Sequence, residues 1–287
     1  MFSVVIPSLN NIDYLKICIN SLKKNSFYKN QIIVHLNVGN DGSIEYLNSE
    51  NVEYTFSEEN LGLCKAVNIA SKKIKNDYII YSHDDFYFCP KWDEEFYKEI
   101  KKIGHKNFYI SSTHVNMFGI KDLECGLDDS TFDEKKLLSN YEKYNFSNIQ
   151  GSTWAPHVVH KDLWIKVNGF SEEFFPGAGS DPDFNLKLWN EGVRIFKMIG
   201  KSKVYHFESK TLRNENNLKH FKSSFLGSKS SKTFFKKWGL SIRFFKKFYL
   251  NSDTLYQSEL KEPKKNFKFL FSLFLCKVNY LYLKIFS

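Results

Sequence analysis

Two adjacent carboxylates, Asp84 and Asp85, close an apolar run from Tyr78 to Tyr81 and precede a second aromatic run ending at Cys89-Pro90. A short apolar run of this kind reads as a buried strand. Ligands of an open parallel sheet bind beyond the carboxyl ends of its strands. Two acids at such an edge repel each other unless a cation or a hydrogen-bonding ligand holds them; a solvated turn, where Asp is common, is the plain alternative. A second pair, Asp181 and Asp183, follows Gly177-Ala-Gly179 at the start of a helix. An acid there favours the positive end of the helix dipole, and either residue could serve simply as an N-cap. His206 ends a late apolar stretch, where it reads as a ligand or as a satisfied strand-end histidine.

The elements that must position these groups follow from periodicity. Phe2 to Ile6, Gln31 to Asn37, Val52 to Phe56 and Asp77 to Ser82 read as strands. Ile12, Leu15, Ile19 and Leu22 recur at helical spacing, as do Leu63, Val67, Ala70 and Ile74 after Asn60-Leu-Gly62. A helix is expected from Lys91 to Ile103, and another from Phe184 to Glu191 that Gly192 closes. Strands alternating with helices of this length predict an α/β fold with a mostly parallel sheet. Later stretches predict a strand from Phe108 to Met117, a polar insertion from Asp122 to Asn148, a short helix from Lys161 to Val167, and two short strands, Arg194–Ile199 and Lys203–Phe207. Trp164 and Trp189 fall within helical patterns and read as core.

With 287 residues, 28 Phe and 16 Tyr, the chain can bury one large core plus an appendage. Five scattered cysteines without a C-x-x-C pair argue against a zinc site or disulfide framework and for a reducing compartment. The chain opens directly on a strand with no charged, apolar leader, so a cytoplasmic location is expected. The net charge of +9 is unevenly spread: 15 of the 41 basic but only 3 of the 32 acidic side chains lie from Asn216 onward. The first 215 residues are slightly acidic, which argues against one nucleic-acid-binding surface. We therefore expect a catalytic domain over 1–215, with halves of about 1–107 and 108–215, and a basic, aromatic helical extension over 216–287.

Taken in order, five segments resemble the family 2 glycosyltransferases, nucleotide-sugar-dependent enzymes of the GT-A fold. They are the opening strand and helix through Leu22; Asn60-Leu-Gly-Leu-Cys-Lys-Ala-Val-Asn68, which is similar to the family's N-x-G-x-x-x-A-x-N; and Tyr78 to Trp92 with its acidic pair. The other two are Gly169 to Gly192, and Lys203 to Phe207 with its histidine. The resemblance implies an inverting, metal-dependent transfer of a sugar from a nucleotide donor to a hydroxyl of a glycan or lipid-linked acceptor. Asp85 would hold Mn²⁺ or Mg²⁺, with Asp84 bound to the metal through water or to the ribose, and His206 as a nitrogen ligand. Asp181 would be the general base that takes the acceptor's proton, supported by Asp183, and the Gly177–Gly179 run would act as a lid. Pro7, Ser8, Asn10, Asn37, Asn60, Gly62, Asn68 and Asp84 would line the nucleotide sugar, and Trp154, His157 and His160 the acceptor.

The chain departs from the family at Leu36-Asn37, where an Asp pair is usual; at Val67, where an Arg is common; and at His83, often acidic. These changes leave the nucleobase open. Asp41-Gly-Ser43 reads as structural.

In the tail, Phe234, Phe235, Trp238, Ile242, Phe245, Phe248 and Tyr249 share one helical face opposite Lys236, Arg243, Lys246 and Lys247. Such a helix binds an anionic membrane surface or packs on the domain. Phe267 to Phe286 is broken by lysines and is expected to lie in the interface rather than to span it. Together these predict a peripheral enzyme at the inner membrane face, active in cell-surface polysaccharide or glycoconjugate synthesis. The rivals are an inactive scaffold of the same fold, and a nucleotidyltransferase, which Pro7-Ser-Leu-Asn-Asn11 disfavours because it lacks a Gly-rich basic loop.

Overall fold

The computed structural model describes residues 1–116, 123–126, 128–207 and 229–286. The boundary expected at residue 215 and the end of the strand expected at Met117 lie outside them. Four parallel strands form the first half of the sheet: β1 (Phe2–Leu9), β2 (Gln31–Asn37), β3 (Glu53–Ser57) and β4 (Tyr78–Tyr81), in the order β3-β2-β1-β4. β1 is buried on both faces because helices cover both. Helix α1 (Ile12–Asn25) buries Leu15, Cys18, Ile19 and Leu22, one face of a 3.6-residue repeat. After α2 (Ser43–Ser49), helix α3 (Gly62–Ser71) buries Cys64, Val67, Ala70 and Ser71. Val67 is fully enclosed, so a side chain there cannot reach a ligand.

β1, β2 and β3 run to one side, and the chain then returns to lay β4 on the other side of β1. The crevice beyond the carboxyl ends of β1 and β4 is therefore a topological switch point. The chain turns there through Asp84-Asp85 into β5 (Phe86–Phe88) and α4 (Trp92–Ile103).

The second half mixes directions. β8 (His157–His160) lies antiparallel between β4 and β6 (Phe108–His114), whereas β6 and β9 (Ile195–His206) pair in parallel. β5 and β7 (Ile149–Gln150) run antiparallel to β9. The two late strands expected from sequence are one: the register with β6 slips between Ser112 and Thr113, whose partners are Ile199 and Lys203, and β9 continues. This irregularity lets a single strand reach Phe86, which pairs with His206. The insertion holds α5 (Glu134–Asn140), started by the Asp133 side chain accepting from the Lys136 N–H. α6 (Lys161–Lys166) and α7 (Ser180–Asn190) complete this half.

The tail forms α8 (Lys229–Trp238), α9 (Ile242–Phe248) and α10 (Phe267–Phe286). The single amphipathic helix expected from Phe234 to Tyr249 is broken at Gly239, whose φ is +66°. Most of its aromatic face packs on the domain: Phe234 and Phe245 are buried in the main core, with Trp238, Ile242 and Tyr249 against it. All five cysteines are buried and free.

Candidate active site

Asp84 and Asp85 diverge as they leave β4. Asp84 turns toward β1, where its Oδ2 accepts from Ser8 Oγ at 2.7 Å. Burial and the neighbouring Asp85 charge push its carboxyl up to about 7, against hydrogen bonds from Ser8 and Asn11. Asp85 is buried and points the other way, its backbone oxygen accepting from the Phe207 N–H at 3.1 Å. His206 Nε2 lies 3.3 Å from Asp85 Oδ2, and His83 Nδ1 lies 3.8 Å from Asp85 Oδ1. One donor atom from each of the three lies within 4.8 Å of the other two. Neither ring nitrogen of His206 makes a hydrogen bond although both are buried, and its backbone is fixed by Asn116 on both sides. An imidazole whose enclosed ring nitrogens make no hydrogen bond, beside a carboxylate, fits a divalent cation. Of the two acids expected at the metal, Asp85 alone joins this cluster.

Asp181 occupies the first turn of α7, after Gly179 at φ +85°. It is not a cap, since the helix start has no side-chain capping bond. Its Oδ1 is buried without a hydrogen bond and lies 3.9 Å from His157 Nδ1. Desolvation raises its carboxyl to about 7. Tyr81, at the end of β4, stands between Asp181 and Asp85: its ring lies 5.2 Å from that of His157, which adjoins Asp181, and its hydroxyl lies 2.8 Å from Nε2 of His83, which adjoins Asp85. The two acids therefore converge on one crevice from different elements.

Asp183 does different work from Asp181. It is fully enclosed; its Oδ2 accepts from Ser171 Oγ at 2.6 Å, and its Oδ1 accepts from Trp238 Nε1 at 2.7 Å with Lys237 Nζ at 3.0 Å. A carboxylate so occupied cannot take a substrate proton; it anchors the turn that carries Asp181. Trp238 and Lys237 belong to α8, so the tail helps to hold the catalytic segment. A helix-face reading of the sequence could not find that contact.

Several expected binders prove structural. Asn68 donates to the Phe170 carbonyl and accepts from the Phe170 N–H, both at 2.9 Å, and also donates to Glu172. This clamp between α3 and the 170s loop leaves nothing for a nucleotide. Asn37 Oδ1 accepts from the Leu61 N–H, and Asn60 Oδ1 from the Gly62 N–H, each at 2.9 Å. Gly62 sits at φ +75°, and a Cβ there would lie 2.6 Å from the Phe175 ring. A Cβ on Gly177 would lie 2.8 Å from Leu63, so the run expected to be a loose lid is packed on α3. Asp41 accepts from the Ile12 and Ser43 N–H groups and is structural, as its position suggests.

Pro7 and Ser8 lie at the crevice end of β1, and exposed Asn10 bonds through its Oδ1 to the Asn40 N–H. On the acceptor side, Trp154 is half-buried and donates to the Ser112 carbonyl at 3.1 Å. His157 is fully buried against Tyr109 and Phe184, and burial holds it neutral, down to about 3. It supports Asp181 from beneath and does not face the acceptor. His160 pairs with Tyr78 at the opposite end of the strand and caps α6 by accepting from the Asp162 N–H. Three residues of strand separate it from His157, about 10 Å.

The profile described as Glycosyl transferase family 2 matches residues 3–155, just over half of the chain. Among solved structures, residues 1–349 of S. aureus TarS share 16% identity at a TM-score of 0.54, over 71% of this chain and 60% of that one. The crystal structure of longer TarS is matched over 36% of its length. A complex of TarS 1–349 with UDP-GlcNAc matches at a TM-score of 0.57 and 14% identity, covering 100% of this chain and 73% of that one. No curated protein sequence matches the chain.

Proposed function

Because the chain belongs to the family 2 glycosyltransferases, we propose that it transfers a sugar, with inversion, from a nucleotide-sugar donor to a hydroxyl of a glycan or lipid-linked acceptor in cell-surface polysaccharide or glycoconjugate synthesis. The observation that carries this reading is that Asp85 with His206, and Asp181 through His157, lie about the same residue, Tyr81. Asp85 and His206 would hold a divalent cation, Mn²⁺ or Mg²⁺, which would supply positive charge to the leaving diphosphate. Asp84, held by Ser8, would hold the ribose hydroxyls of the donor. Asp181, with a carboxyl at about 7, is matched to act as base at neutral pH. It takes the acceptor proton as the acceptor oxygen bonds to the anomeric carbon, and the bond from that carbon to the diphosphate breaks. TarS structures contain UDP and UDP-GlcNAc, which makes uridine diphosphate sugars the first donors to test.

The enzyme would meet its acceptor as a peripheral protein at the inner membrane face. No helix among the described residues is long and apolar enough to cross a membrane. In α10, Phe269 and Cys276 pack on α8 and α9, while Phe267, Phe271, Phe274 and Val278 stay exposed on the opposite face. At 100° per residue, Lys268 and Lys277 fall on the two edges of that exposed stripe, the arrangement of an interfacial helix among anionic headgroups.

The test is thermal-shift screening of UDP and UDP sugars with and without Mn²⁺, followed by donor hydrolysis and transfer assays on wild type and Asp85→Asn. Metal-dependent stabilisation by a nucleoside diphosphate, lost with Asp85→Asn, is expected. Unchanged hydrolysis and transfer in that variant would overturn the metal assignment; no stabilisation by any nucleotide would favour the scaffold reading.

A further inference from the structure

His83 departs from the acid common at its place, and the fold gives that departure a use. It stands two residues before Asp85, where the chain leaves β4 and turns through Asp84-Asp85. Its ring is held in two ways. Nε2 lies 2.8 Å from the Tyr81 hydroxyl, and the ring stacks on Phe86 at 5.2 Å between centroids and 19° between planes. With Nε2–H donating to the Tyr81 oxygen, Nδ1 keeps its lone pair, and Nδ1 is the atom directed at Asp85 Oδ1, 3.8 Å away. A metal-binding histidine characteristically donates its other ring N–H to such a partner, which fixes both tautomer and orientation. The separations of 3.3 and 3.8 Å around Asp85 are close to the roughly 3.0–3.5 Å edges expected when neighbouring ligands share an ion at about 2.1 Å. His83 is partly exposed and Asp85 is not, so His83 lies at the mouth of the cluster.

We propose that His83 is a third protein ligand of the cation, giving a two-imidazole, one-carboxylate set that selects first-row transition ions such as Mn²⁺ and Co²⁺ over Mg²⁺. The reason is donor chemistry. Mg²⁺ favours oxygen ligands and retains its waters, whereas affinity of nitrogen-containing sites rises from Mn²⁺ to Co²⁺. Tyr81 is a positioning residue that acts through the His83 ring. The inference rests on the reading that Asp85 and His206 hold the metal, so its test separates the two.

The full chain is titrated calorimetrically with Mn²⁺, Co²⁺ and Mg²⁺ in the presence of UDP, as wild type, His83→Asn, His83→Asp and Asp85→Asn, with melting curves of the metal-free proteins as a folding control. Wild type should bind Mn²⁺ at least about tenfold more tightly than Mg²⁺. His83→Asn should lose about 10–100-fold in Mn²⁺ and Co²⁺ affinity with Mg²⁺ binding within about twofold of wild type, while His83→Asp narrows the preference. Pulsed electron paramagnetic resonance of Mn²⁺ on the wild-type protein, which needs no variant to fold, should show two coupled imidazole nitrogens. One coupled nitrogen, or unchanged Mn²⁺ affinity in His83→Asn beside loss in Asp85→Asn, would overturn the role of His83 alone. Unchanged affinity in Asp85→Asn as well would overturn the metal site itself.

Discussion

Asp181 should set the pH dependence of transfer. Its carboxylate is the active form and burial lifts its carboxyl to about 7, so kcat/KM is expected to climb with pH and level off above about 7. Asp181→Asn should cost about 10²–10⁴-fold in transfer and flatten that limb. Stability must move the other way. The folded value lies above the unfolded value of 3.8, so between these the native state keeps a proton that the unfolded chain has lost. The Asp181 contribution therefore weakens as pH rises across that window. Melting temperatures of wild type and Asp181→Asn should converge near pH 3 and separate at pH 8, with the variant the more stable; equal melting temperatures at pH 8 would show that the carboxyl is not desolvated. Asn68 gives a contrasting case. Its amide closes the Phe170 backbone on both sides, so Asn68→Ala should lose about 1–3 kcal/mol in urea unfolding with the donor KM within twofold.

Two helices hold the segment that leads into and begins α7, and each contact predicts a loss at the level of the element. α3 approaches through Gly62, where both a left-handed φ of +75° and the Phe175 ring exclude a side chain. Gly62→Ala should cost about 1–3 kcal/mol in strain and displacement. α8 approaches through Trp238, which donates to Asp183. Trp238→Phe keeps the apolar ring and removes the donor, leaving a buried carboxylate one partner short. A loss of about 1–3 kcal/mol is expected, and because α7 carries both Asp183 and Asp181, kcat should fall more than KM rises. A variant with full kcat would show that α8 merely covers this face.

At the scale of the whole molecule, charge and apolar surface segregate together. Residues beyond 228 carry most of the excess positive charge, and α10 exposes Phe271 at 53% and Phe274 at 59%. Two copies meeting through this face would bring like charges together, whereas an anionic bilayer neutralises them. The full chain should pellet with phosphatidylserine-containing vesicles, weakly with phosphatidylcholine alone, and less as salt rises. Replacing Phe271 and Phe274 together by Asp should abolish pelleting and leave the melting temperature within a few degrees, because neither side chain belongs to the core.

The parallel half of the sheet, the carboxyl-edge position of Asp84 and Asp85 and the start of α7 at Asp181 were legible in the sequence, because strand and helix periodicities and chain order fix them locally. The family resemblance was legible for the same reason, since its segments are short and ordered. What each polar side chain faces was not. Whether Asn68 met a nucleotide or Phe170, whether His160 served the site or capped a helix, and whether the aromatic face of α8 met lipid or core all depend on which distant segment lies opposite. Hydrogen bonds and burial are satisfied by neighbours in space, and the sequence records only neighbours along the chain. The same limit hid His83: one residue removed from the acidic pair, it becomes a metal-ligand candidate only when β9 brings His206 to Asp85.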